Sequence, residues 1–353
     1  MNACDGIRSR RSPYPRQNED MTPIWKDTSI AINTTKDAVW TRIRKGGSSG
    51  DIIFRGRAVK VGGFIRVQMN RVCADYLSDE LPLIDESNQD YTKNEPVVFV
   101  LEYSESGSTW LTAGSVQFYP NWSYDRKFTE HAGAVTMAPS RDVSPNQYLL
   151  ITVMAAPGTV PEASSITLAG KRKDGTTYTK TVAVPAGSMM GTGVFTLSQF
   201  ASAGDELEVA GLKFRVSDAC TRYVLHWYND YGGWEQMLVV NGAPQSDTVT
   251  RHTVQTGETN GGYYGTDRAI RNYANATERT LRLGTGWLSD EGSLQMRGLF
   301  DSTNVLLYDT QEDTWTPLVL TGDTVDYKTY KGNGGQLVRY DFDARVAYNF
   351  VRR

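Results

Sequence analysis

The feature that most constrains this chain is the short reach of its hydrophobic periodicity. From Trp25 onward, apolar and polar residues alternate in runs of roughly four to eight residues, and glycine, proline or polar clusters end each run. In "AVWTRIRKGGSSGDIIFRGRAVKV", Val39, Thr41 and Ile43 alternate with Trp40, Arg42 and Arg44. A glycine-rich turn follows at Gly46 to Gly50, and a second run opens at Ile52. A period of two places successive side chains on opposite faces of a strand. No long amphipathic helix pattern accompanies these runs. That excludes a (β/α)₈ barrel or a doubly wound sheet, which need a helix after nearly every strand. The expected fold is mostly β, with few short helices.

At 353 residues the chain exceeds one ordinary domain, so a multi-domain layout is expected. Residues 1–24 read as a flexible arm. They carry Arg8, Arg10, Arg11, Tyr14 and Arg16, the prolines Pro13 and Pro15, and little that could be buried. Such an arm either stays free or becomes ordered on a neighbouring subunit, which makes those five residues candidate assembly contacts. Residues 25–125 read as an N-terminal β domain with a helical turn near 71–77.

Residues 126–240 offer strand candidates at 148–154, 165–169, 177–184, 193–197, 206–216, 222–228 and 234–240. "KRKDGTTY" is a hairpin turn with Asp174-Gly175 at its tip. Short strands at this spacing predict a β-sandwich, immunoglobulin-like or related. Residues 241–353 form a C-terminal mostly β domain. It opens on a Thr/Gly-rich stretch at 247–267, then shows strands, a short helix near 290–300, and a final strand alternating Arg339 and Asp341 with Tyr340 and Phe342.

Charge removes several partner classes. Lysine plus arginine total 37 against 40 aspartate plus glutamate, a formal net charge of -3. Nucleic acid binding calls for clustered excess positive charge, so none is expected, and neither is a charged membrane surface. No stretch reaches the ~20 apolar residues of a membrane span. The opening "MNACDGIRSRRSPYPRQNED" lacks the apolar run of a secretory signal. Cys4, Cys73 and Cys220 form no CxxC pair and are odd in number, so they read as reduced structural thiols.

Catalytic patterns are also missing. His131, His226 and His252 fall at no metal-ligand spacing. "GGSSG" lacks the lysine and helix of a phosphate loop and reads as a hairpin loop. Acidic clusters occur at Asp79, Glu80, Asp85 and Glu86, at Asp230 and Glu235, at Asp290 and Glu291, and at Asp341 and Asp343. They read as ordinary surface acids; Arg339 and Arg345 share a strand face with the last pair and balance it. No catalytic, cofactor or metal residue is assigned, and the chain is expected not to be an enzyme.

The densest aromatic stretch is "CTRYVLHWYNDYGGWEQMLVVNG", residues 220–242. Periodicity puts Tyr223, Leu225 and Trp227 on one face of a strand and Val224, His226 and Tyr228 on the other. Past the turn, Trp234, Gln236 and Leu238 oppose Glu235, Met237 and Val239. Asparagine, aspartate and the glycines Gly232 and Gly233 supply the turn. The expectation is a core hairpin with Trp227, Trp234, Gly232 and Gly233 as structural anchors and Tyr231 as a candidate assembly contact. An exposed aromatic platform for a ligand is the competing reading, and His226 reads as a bystander.

The segment "RYVLHWYNDYGGWEQMLV" resembles one found in structural proteins of tailed phages that infect Bacteroidetes. Those proteins show an aromatic strand, an asparagine, a YGG-type turn and a tryptophan before an apolar strand. Similar pieces are the "WKDT" opening at Trp25 to Thr28, "FRGRAVK" at Phe54 to Lys60, "IRVQMNRVCADYL" at Ile65 to Leu77 and the closing "VRYDFDARVAYNF". The resemblance implies a virion structural protein of the tail tip, baseplate or a tail-associated ring. Its partners would be itself in a symmetric ring and neighbouring virion proteins, after synthesis in the host cytoplasm. It brings no active-site residues. The alternatives are a carbohydrate-binding adhesin for a host surface glycan, and a glycan-active enzyme with two facing carboxylates.

Overall fold

The computed structural model describes residues 21–22, 28–73, 76, 91–93, 96–118, 133–136, 140–155, 162–217, 221–229, 232–240, 244–255, 270–288, 290–302, 304–322, 338–347 and 350–352. The fold is largely β and multi-sheet, with two short α-helices among the described residues.

The first section contains β1 (Met21–Thr22), β2 (Ser29–Ile32), β3 (Ala38–Lys45), β4 (Asp51–Val59), β5 (Ile65–Gln68), helix α1 (Met69–Cys73), β6 (Tyr91–Lys93), β7 (Val97–Ser104) and β8 (Leu111–Phe118). Five of these strands form a sheet in the order β1-β8-β7-β3-β4, and β2 pairs with β5 in a separate ribbon. Along β3 the expected alternation holds. Val39, Thr41 and Ile43 are buried, Trp40 is exposed, and Arg42 and Arg44 are half-buried. Gly46 and Gly47 take φ of 85° and 93°, which L-residues rarely adopt, so "GGSSG" is the hairpin loop expected. Ile43, Phe99, Leu101 and Phe118 from the sheet share one core with Ile65 and Val67 from the ribbon and with Met69 and Cys73 from α1. The helix thus begins two residues before the expected turn at 71–77, of which residues 74, 75 and 77 lie outside the described residues.

The middle section contains β9 (Gly133–Ala134), β10 (Ser140–Val143), β11 (Tyr148–Met154), β12 (Ser164–Lys171), β13 (Thr177–Val184), β14 (Met190–Thr196), a 3₁₀ turn at Leu197–Gln199, β15 (Glu206–Val209) and β16 (Leu212–Val216). One sheet runs β10-β16-β15-β12-β13 and the other β6-β14-β11-β9. Leu149, Ile151 and Phe195 of the second sheet share one apolar cluster with Leu168, Val182, Leu207 and Phe214 of the first. The run at 206–216 splits into two strands because Ala210 (φ 50°) and Gly211 (φ 79°) make a tight turn with two successive positive-φ residues. β6 comes from within the first section yet borders this sheet. Its Tyr91 hydroxyl meets Ser188 Oγ at 2.5 Å.

The last section contains β17 (Tyr223–Tyr228), β18 (Trp234–Val239), β19 (Gln245–Gln255), β20 (Ile270–Leu288), helix α2 (Asp290–Phe300), β21 (Val305–Asp309), β22 (Thr314–Leu320), β23 (Val338–Val346) and β24 (Phe350–Arg352). They form one sheet, β18-β17-β21-β22-β23-β20-β19, with β24 also on β20. The boundary drawn at residue 240 therefore runs through this sheet, since β17 pairs with β21. The Val240 N–H donates to the Gly284 carbonyl, and the Arg282 N–H to that of Pro244. These bonds bring the chain flanking β18 and β19 against the C-terminal half of β20. Met296 and Leu299 of α2 share one core with Leu225, Trp227, Leu283 and Tyr340.

Leu149 is fully buried between the two middle sheets. Leu149→Ala is expected to cost about 2–5 kcal/mol by removing apolar burial and leaving a cavity. Urea titration should show a lower midpoint with an unchanged slope.

Candidate functional site

The β17–β18 hairpin is the wall between two cores. Its Leu225, Trp227, Met237 and Val239 face α2 and the last sheet. Its Tyr228 and Trp234 pack on Leu150 and Val194 of the middle section, with the two rings 4.2 Å apart. Trp227 and Trp234 are thus both buried, but on opposite sides of the wall. The Trp227 indole N–H has no hydrogen-bond partner among the described residues, so that ring acts by filling space. The two glycines serve different needs. Gly232 takes φ 78°. At Gly233 an added Cβ would lie 2.3 Å from the Val135 carbonyl oxygen, so only glycine lets the turn approach the strand region at 133–136.

The turn ends in a polar cluster centred on Glu235, which is 1% exposed. One carboxylate oxygen accepts from Thr136 Oγ1 (2.7 Å) and Asn229 Nδ2 (2.9 Å). The other accepts from Gln295 Nε2 (2.8 Å) and Arg141 Nη2 (2.6 Å). These donors come from four places: the segment after β9, the end of β17, helix α2 and strand β10. Arg141 also donates to Thr136 Oγ1 (2.5 Å) and to the Gln236 carbonyl (3.2 Å). Asn229 accepts the Gly233 N–H on its Oδ1 (2.9 Å), which shapes the turn. Nearby, the Trp234 N–H donates to Thr152 Oγ1 (3.0 Å) and the Leu150 N–H to Gln236 Oε1 (3.2 Å), both across the two sections.

A carboxylate offers about four acceptor positions, and here four donors fill them. It has no vacant lone pair aimed at a cavity. The space beside it, lined by Thr136, Arg141, Thr152 and Gln236, holds about 10 Å³. Glu235 is therefore a clamp between sheets, and the acidic pair Asp230/Glu235 does not present itself as chemistry; Asp230 lies outside the described residues.

His226 is fully buried and sits 4.8 Å from the Trp315 ring, in an aromatic group with Tyr308 and Tyr148. Its ring nitrogens have no hydrogen-bond partner among the described residues. Burial first, and the nearby Arg141 charge second, push its pKa down to about 3. It is a neutral packing residue with no group to exchange a proton with.

Other candidates fall apart or lie elsewhere. Asp341 pairs with Arg339 at 2.9 Å, as the charge-balanced reading expects, while Arg345 reaches Glu278 at 3.5 Å. A surface pocket of about 140 Å³ includes Arg222, Arg279 and Asp309. Its Arg222 is held by Asp309 (2.6 Å) and Arg279 by Asp247 (2.9 Å). Burial raises the Asp309 carboxyl, but hydrogen bonds from Arg222 and from the Gln311 and Glu312 N–H groups outweigh it and hold the group below the usual carboxylate range. Among the described residues no group of three or more His, Cys, Asp or Glu could hold a metal ion. Cys73 is a free thiol, buried so that its pKa rises to about 12. No helix among the described residues is long and apolar enough to cross a membrane. Arg8, Arg10, Arg11, Tyr14, Arg16 and Tyr231 lie outside the described residues, as do the acids at 79–80 and 85–86.

Sequence reasoning missed the Glu235 clamp, because its donors are scattered from 136 to 295 with no spacing to read. No protein-family model matches this chain, and no curated protein matches it.

Two measurements check this account. Arg141→Ala or Glu235→Ala alone should cost about 3–5 kcal/mol, since each strands a buried charge. The double change Arg141→Met with Glu235→Leu should recover most of that loss. Asp341→Ala, in a pair about 40% exposed, should cost less than about 1 kcal/mol. The second concerns pH. In the unfolded chain His226 protonates near pH 6.5, but in the folded chain only near 3. The unfolded state therefore takes up a proton first as pH falls, and stability declines below pH 6.5 by up to ~1.4 kcal/mol per unit. His226→Phe should flatten urea midpoints between pH 6.5 and 5, above the range where carboxylates contribute. An unchanged pH profile would show that His226 is not the buried neutral group described.

Proposed function

We propose that this chain is a virion structural protein of a tailed phage, working by protein–protein assembly in the tail tip, baseplate or a tail-associated ring. The observation that carries the reading is the β19–β20 hairpin. β20 runs 19 residues, roughly 60 Å of extended chain. Its C-terminal half is built into the last core, while residues 272–280 are exposed or half-buried and pair with a β19 whose residues 245–254 are all exposed. Ordered chain of that length without a core of its own suits a subunit that meets neighbours. The resemblance of residues 222–239 to structural proteins of tailed phages points the same way.

The finer fold reading is that the middle section is an immunoglobulin-like sandwich. Its support is strand order. Taking β10 as A′, β11 as B, β12 as C, β13 as C′, β14 as E, β15 as F and β16 as G, one sheet reads A′-G-F-C-C′ and the other contains B and E side by side. The mechanism is scaffolding: the Glu235 clamp and the shared hairpin wall hold two cores as one body. The hairpin and the arm with Arg8, Arg10, Arg11, Tyr14 and Arg16 engage neighbours in the virion. Neither cofactor nor nucleic acid enters this reading.

A host-surface glycan is the second candidate partner, and no observation favours it. Exposed large rings occur at Trp40, Phe64, Tyr76, Tyr273 and Trp287, on the first and last sections. Among the described residues none lies on the two middle sheets or on the β17–β18 hairpin, the stretch read as a possible aromatic platform. Light scattering of the purified chain, alone and mixed with neighbouring virion proteins, is expected to give closed oligomers or a larger complex. A monomer at micromolar concentration in both settings would overturn the proposal, as would a particle reconstruction without this chain.

A further inference from the structure

We propose that β19 pairs antiparallel, edge to edge, with β19 of a second copy, about a two-fold axis through Val249. β19 ends its sheet, with β20 on one side and no described strand on the other. The other sheet ends are protected. β1, β2, β5, β6, β9 and β10 are two to four residues long. β4 carries exposed Arg55 and Arg57, β13 carries exposed Lys180, and the chain after β18 turns back onto β20 through Val240. Short strands and outward charges are the usual defences against edge pairing. β19 is 11 residues long, rich in β-favouring Thr and Val, and free of proline and lysine.

The sequence "SDTVTRH", residues 246–252, is self-complementary when run antiparallel against itself. With Val249 opposite its own copy, Thr248 faces Thr250 and Asp247 faces Arg251, on both sides of the axis. All three kinds of pair are favourable directly opposite in a sheet. Shifting the centre to Thr250 sets Val249 against Arg251, and shifting it to Thr248 sets Asp247 against Val249. Charge therefore selects one register. Asp247 is already held by Arg279 of β20 at 2.9 Å on the exposed face, so pairing extends a row of alternating charge across the joint. The register shift between His252 and Thr253 bounds the flat stretch. Seven paired residues per chain make a small contact by the standards of stable interfaces, so this joint is weak alone and works within a larger assembly.

The inference rests on the assembly reading and names its partner, but it fails separately. In a chain with Cys4→Ser and Cys220→Ser, Val249→Cys should form a disulfide dimer under mild oxidation, because residues directly opposite lie ~4.5–5.5 Å apart between Cα atoms. Thr176→Cys, exposed in the β12–β13 turn, is the control. Arg251→Glu alone and Asp247→Lys alone should each weaken self-association about tenfold, through two repulsive pairs. An equimolar mixture of the two variants should restore it, since each Asp247 then meets an Arg251 and each Glu meets a Lys. The restored mixture also excludes misfolding as the cause of loss. Cross-linking no greater than the Thr176→Cys control, or no recovery on mixing, overturns the inference. If larger oligomers persist in that case, the assembly reading survives; a monomer throughout overturns both.

Discussion

The arrangement of the last two-thirds of this chain depends on one ionised carboxylate kept out of water. Burying a charge costs several kcal/mol unless every part of it is paired. Glu235 meets that condition by drawing donors from Thr136, Asn229, Arg141 and Gln295. No one of the elements holding them can shift without stranding the charge. Apolar contact alone would be more tolerant: Tyr228 and Trp234 against Leu150 and Val194 could slide and still be buried. The clamp turns a greasy contact into one with a fixed geometry. That same saturation removes Glu235 from consideration as an acid, base or metal ligand.

The hairpin that carries the clamp has no solvent side. Strands apolar on both faces are expected inside layered sheets, and here the two faces belong to different cores. His226 shows the consequence most sharply. A titratable ring is held neutral among Trp315, Tyr308 and Tyr148, which links the first residue of β11 to the β21–β22 hairpin. Asp313, at φ 51° in the turn of that hairpin, accepts from the Tyr308 hydroxyl at 2.8 Å. Aromatic packing of Tyr148 on Tyr308 and Trp315 therefore joins the sections at this point, beside that hydrogen bond.

Much of the fold was legible because its signals are local. The alternation in β3, the Asp174-Gly175 turn and the helix at 290–300 all depend on residues close in sequence. Pairing partners were not legible. Nothing in 223–239 says whether it joins the strands before it or those after it, because both of its faces are apolar. Splitting 206–216 needed Ala210 at a positive φ, which its side chain does not advertise. β19 escaped for the opposite reason: with every residue from 245 to 254 exposed, hydrophobic periodicity had no buried face to record. Glu235 was visible as an acid beside a glycine turn, but its role is set by residues about 95 positions away on one side and 60 on the other.

A two-fold joint through Val249 would also limit how this chain builds anything larger. An isologous contact is used up by one partner, so it closes a pair and cannot propagate. Growth into a ring would need a second, different surface on each chain. The charged edges of β4 and β13 resist strand pairing, which leaves exposed side-chain faces as the means of that growth. Such a face would be selected by side-chain shape and charge, whereas the strand joint would be selected by backbone register and the match of Asp247 with Arg251.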